Sequence, residues 1–81
     1  MSLERAAMQG QLAGAEQQRH ELILKGQGLC TAIRAAIHPV LNELEEMEIP
    51  QAAQQMNDLV MVSAELARIT GKIAQLKKEL R

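Results

Sequence analysis

His20, Cys30 and His38 are the residues whose types suggest metal ligation or nucleophilic chemistry. A thiol becomes a strong nucleophile when a neighbouring imidazole takes its proton, which needs contact at about 3 Å. Cys30 and His38 are eight positions apart in the chain. On a straight helix that spacing is about two turns, too far for a hydrogen bond. Cys30 is therefore expected to serve as a small, buried or half-buried hydrophobe. His20, beside Glu16 and Glu21, reads as part of a solvated helix face. No run has the Cys/His spacing of a structural zinc site. No catalytic, cofactor-binding or metal-ligating residue is assigned, and no cofactor is expected.

Two charged clusters raise other chemistry. Residues 43–58 hold Glu43, Glu45, Glu46, Glu48 and Asp58 without a basic residue. They lack the glycine turn and alternating ligands of a calcium loop, so a solvated acidic face is expected. Residues 65–81 hold Arg68, Lys72, Lys77, Lys78 and Arg81 against Glu65 and Glu79. Lys72, Lys77, Lys78 and Arg81 are candidate nucleic-acid contacts. The signal is weak, because the stretch has neither aromatic stacking platforms nor an arginine-rich run. Gly26-Gln27-Gly28 follows no strand and does not make a phosphate loop. A formal net charge of −1 gives no global pull toward nucleic acid or anionic lipid.

The elements that carry these residues follow from composition and period. The chain has no Phe, Tyr or Trp and is rich in Ala, Leu, Gln, Glu, Met and Lys. Those are helix formers, whereas strands favour aromatic and β-branched residues, so the class is all-α. From Leu59 onward the apolar residues fall at Leu59, Val62, Leu66, Ile69, Ile73, Leu76 and Leu80. Steps of three and four make an unbroken heptad seam that must pack along another helix. Val60, Ala67 and Ala74 repeat every seven residues beside it.

Ser2 can cap a first helix, with Glu4 favouring its dipole. Gly10 and Gly14 mark either a weakly stable helix end or a close helix contact; their glutamine-rich surroundings exclude lipid. A second seam runs through Met8, Leu12, Ala15, Arg19, Leu22, Gly26, Leu29, Ile33, Ala36 and Val40. The facing positions expected to meet the C-terminal seam are Leu22, Leu29, Ile33, Ile37, Val40, Leu44 and Met47. The phase survives Gly26-Gln27-Gly28, which favours a continuous helix although two interior glycines cost about 2 kcal/mol. The alternative is a break there and a three-helix arrangement.

Apolar spacing also continues across Pro39, so a kink near residues 35–39 is expected rather than a stop. The first clear turn is Glu48-Ile49-Pro50, because the residue before a proline is pushed out of the helical region. The expected fold is an antiparallel hairpin with a long kinked first helix, about 3–47, and a second, about 50–80. Folding about Ile49 would bring Pro39 near Val60 and Gly28 near Gly71. It would also leave about fifteen N-terminal residues without a partner.

That overhang and the missing staples point to self-association. One cysteine permits no internal disulfide, and a single domain of 81 residues buries only a modest core. A homo-oligomer is expected, a dimer first, as a four-helix-bundle-like assembly. The acidic turn and the basic end favour an antiparallel pair. A partner protein remains open. No apolar run reaches the length of a membrane span. The N-terminus lacks the apolar core of a secretory signal. With one free cysteine, the expected location is the cytoplasm.

Ile33-Arg34-Ala35-Ala36-Ile37-His38-Pro39, the acidic link, Gln51-Ala52-Ala53 and the Leu76-Lys77-Lys78-Glu79-Leu80 end resemble small helical proteins of Mu-like prophages. The resemblance implies a phage or prophage origin and no activity, cofactor or functional residue. The expected function is that of a non-enzymatic coiled-coil interaction or assembly protein. The alternative is a nucleic-acid-associated accessory protein that uses the basic end.

Overall fold

The computed structural model describes residues 2–81. The Ser2 hydroxyl accepts the Arg5 amide at 3.4 Å, and Glu4 lies in the first turn, so one free amide and the dipole are both answered. Helix α1 runs from there, Leu3–Ala36. It passes through Gly26 and Gly28 without interruption, so neither a break nor a three-helix arrangement occurs. Helix α2 spans Ile49–Leu80, with Pro50 in its first turn and Lys77 and Lys78 in its last. The two pack as an antiparallel hairpin 63 Å long and 15 Å across.

The end of α1 corrects one expectation. The helix stops at Ala36 and does not kink and continue to Met47. The last helical bond is Ile37 N–H to Ile33 O, at 3.2 Å. Pro39 has no N–H to give to Ala35 O, and it disfavours helical geometry at His38. Both costs are avoided by turning away. The amides of Leu41 and Asn42 donate to His38 O, and Asn42 Nδ2 supplies the bond to Ala35 O that Pro39 cannot. A single 3₁₀ turn, Leu44–Glu46, then leads to α2. The turn therefore begins at Ile37, well before Glu48.

An earlier stop moves the register. Arg5 donates to the carbonyl of Leu80 at 2.8 Å, Lys77 lies 3.9 Å from Glu16, and Gly26 packs against Leu59 and Val62. The chain folds about residues 42 and 43, not Ile49. Gly28 lies near the Leu59 level instead of Gly71, and Pro39 belongs to the connector instead of packing on Val60. The N-terminal overhang disappears: helices of 34 and 32 residues are about 51 and 48 Å long.

One stripe per helix is covered. Among the described residues the buried side chains are Ala15, Ile33, Ala52, Val62, Ile69, Ile73 and Leu76, and Ile69 alone is fully enclosed. Ala15 sits against Ile69 and Ile73, with Leu12 and Leu22 at the margin. A methyl-sized residue there lets α1 approach two branched side chains on α2. Toward the turn the seam continues through Ala52 and Gln55. The Gln55 Oε1 is buried there without a hydrogen-bond partner.

Candidate interaction surface

Every position of the C-terminal seam faces α1. Val62, Ile69, Ile73 and Leu76 are buried, and Leu59, Leu66 and Leu80 are half-buried. The facing set divides. Leu22 and Leu29 are half-buried and Ile33 is buried, as their phase requires. Ile37, Val40 and Leu44 are exposed, Val40 to 84% and Leu44 to 71%. They lie past the end of α1, where helical phase no longer sets their direction. Met47 is half-buried at the approach to α2.

The three chemically suggestive residues are widely distributed. His38 stays with the turn, its Nδ1 accepting the Val40 amide at 3.2 Å. His20 is exposed. Cys30 is exposed too, against the expectation of burial, because the seam positions of α1 at this level are Leu29 and Ile33. No group of three or more His, Cys, Asp or Glu among the described residues could hold a metal ion. Among the described residues, no helix is long and apolar enough to cross a membrane. Gly10 and Gly14 make no close contact, since a methyl group added at either would meet nothing within 4 Å.

The hairpin has two broad sides, and they differ in chemistry. On one side a groove of about 440 Å³ runs between the helices, lined by Ile23, Gly26, Gln27 and Cys30 of α1 and Leu59, Ser63 and Leu66 of α2, among others. It continues toward the open end as a second groove of about 550 Å³, bounded by Glu16, Arg19, His20, Thr70, Ala74 and Lys77. Steps of three and four residues join the two into one face: 16, 20, 23, 27 and 30 on α1, and 59, 63, 66, 70, 74 and 77 on α2. By the same spacing Met56, Val60 and Ala67 lie at its α2 margin. Between Ala53 and Ala74 this face of α2 carries no charge.

The other side is charged. A groove there is lined by Lys25, Asp58, Met61 and Glu65 beside Leu22 and Val62. Arg68 Nε donates to both Glu65 carboxylate oxygens, at 3.0 and 3.1 Å. That hydrogen-bonded pair holds the Glu65 carboxyl below its usual range and raises the Arg68 guanidinium above its own. Both are solvent-facing, so the pair adds little to stability.

The candidate nucleic-acid residues Lys72, Lys77, Lys78 and Arg81 are all exposed. By steps of three and four Lys77, Lys78 and Arg81 fall on one side at the end of α2, whereas Lys72 falls with Asp58, Glu65 and Arg68 on the other. The seam and the Val60, Ala67, Ala74 stripe are legible in the sequence, but the α1 half of the groove is not part of that expectation. Its signal is Ile23 and Leu24 beside seam residue Leu22, an apolar width greater than one stripe needs. Compared with known protein families, curated proteins and solved structures, the chain matches none of them.

Proposed function

We propose that the chain is a non-enzymatic interaction or assembly protein that acts through coiled-coil-like association of its helical hairpin, with itself or with a partner helix. The carrying observation is surface area. A compact monomer of 8.9 kDa would expose about 4,800 Å². This chain exposes 6190 Å². The excess is about 1,400 Å², and the exposed Met56 and Val60 border the groove face on α2. The residues that suggest chemistry are scattered, while Ile23, Leu59, Val60 and Leu66 share a face; that contrast supports association over catalysis. An exposed lone thiol suits a reducing compartment, so the cytoplasm is the proposed place of action. A prophage origin, as the resemblance implies, fits a small assembly factor.

A second reading rests on the exposure of Lys72, Lys77, Lys78 and Arg81, which would let the basic end touch phosphates. Sedimentation velocity separates the two, run with and without single-stranded and duplex DNA at moderate salt. The association reading expects a mass that grows with protein concentration and no co-sedimentation with DNA. Co-sedimentation of a chain that stays monomeric on its own would transfer the assignment to the second reading.

A further inference from the structure

We infer that the groove face is the seat of a second copy of this chain, held antiparallel so that α2 lies across the α2 of its partner; this rests on the association reading above and names the surface and its occupant. Two independent observations carry it.

The first is the match between surface and need. Two copies hiding the excess would bury roughly 2,800 Å² in total, inside the range of obligate homodimers. The face has the anatomy such an interface requires. Its centre is apolar and uncharged around Ile23, Leu59, Val60 and Leu66, and its end toward Glu16, Arg19 and Lys77 is polar. Small residues at Ser63, Ala67 and Ala74 would let two helices approach closely.

The second is charge. The turn carries Glu43, Glu45, Glu46 and Glu48, whereas the open end carries Lys77, Lys78 and Arg81. Take a twofold axis at the level of residues 60–63. Lys77 and Lys78 lie about 24 Å from that level along α2, and the start of α2 lies about 19 Å from it in the other direction. The acidic turn sits just beyond. Antiparallel copies therefore set each acidic turn beside the basic end of the other. Parallel copies would stack acid on acid. The same axis places Val60 and Ser63 close to their own counterparts.

Val60 and Met61 make the test sharp. They are neighbours in sequence and comparably exposed, at 60% and 72%. Val60 belongs to the groove face, and Met61 lines the opposite side. Val60→Lys should weaken dimerisation at least tenfold by sedimentation equilibrium, with helicity unchanged. Met61→Lys should leave the dimer intact. Orientation is read by electron–electron distance measurement on Glu45→Cys carrying a nitroxide, in a Cys30→Ser background. Antiparallel copies place the labels about 50 Å apart.

A dimer that tolerates Val60→Lys, or labels within about 25 Å of each other, as side-by-side turns on helices 8–10 Å apart require, would overturn the inference and leave association standing. A chain that stays monomeric at every concentration would overturn both.

Discussion

Asn42 Nδ2 donates to the carbonyl of Ala35 at 2.9 Å, and Ala35 is the residue whose carbonyl Pro39 leaves without its helical donor. Three residues after the proline, a side-chain amide supplies what the backbone lost. The consequence reaches the whole molecule. It ends α1 at Ala36, sets the two helices to nearly equal length, and fixes the register in which Arg5 reaches Leu80.

Asn42→Ala should therefore destabilise the hairpin by about 1 kcal/mol, the usual worth of such a hydrogen bond. For a domain of this size that is a fall in melting temperature of about 4–8 °C. Thermal unfolding followed by circular dichroism checks it. An unchanged melting temperature would mean that the amide does not cap the helix in solution.

Ile69 is fully enclosed, set against Ala15 and Ile73. Ile69→Ala should cost about 2–5 kcal/mol through lost burial and the cavity left behind. Ile69→Asp places a charge in the same spot and should abolish the fold. Lys78→Glu, on the exposed end, should leave helicity intact. Circular dichroism on the three variants orders them, and harmless substitutions at Ile69 would mean that the seam does not face α1.

Gln55 interrupts the apolar seam near the turn, with Oε1 buried and unpaired. Gln55→Leu removes that unsatisfied acceptor and should stabilise the hairpin by about 1–3 kcal/mol. A higher urea midpoint is the expected readout. A lower one would show that the amide finds a partner in solution.

Gly28 is helical and open to solvent, so an added methyl group meets nothing within 4 Å. Gly28→Ala should raise stability by about 1 kcal/mol through helix propensity alone. Gly26→Ala should gain at least as much, because its methyl would rest 3.5 Å from Val62 Cγ1 and 3.8 Å from Leu59 Cδ1, ordinary contact distances. Loss of stability in the Gly28 variant would argue that α1 is broken at the glycines after all.

Much of this fold is written in the sequence, and the part that is not has a physical cause. The seam from Leu59 to Leu80 keeps strict heptad phase, and each of its residues packs as that phase demands. Continuity through Gly26 and Gly28 is legible because the phase of α1 survives them. The end of α1 is not. Ile37, Val40, Leu44 and Met47 imitate a continuing helix, and apolar spacing alone does not separate a kinked proline from a terminating one. The choice lies with Asn42, which offers an alternative partner to Ala35 O. The stripe of Val60, Ala67 and Ala74 is visible in the sequence. Its α1 counterpart at Ile23 and Cys30 becomes visible only when the register is known, because two helices must be aligned before a shared face exists.

The claim most exposed to experiment is that one hairpin leaves too much surface uncovered to work alone. Light scattering on the unmodified chain, from micromolar to millimolar concentration, measures this directly. The account predicts a mass that rises to twice the 8.9 kDa of a single chain. A constant single-chain mass across that range, with full helicity, would contradict it.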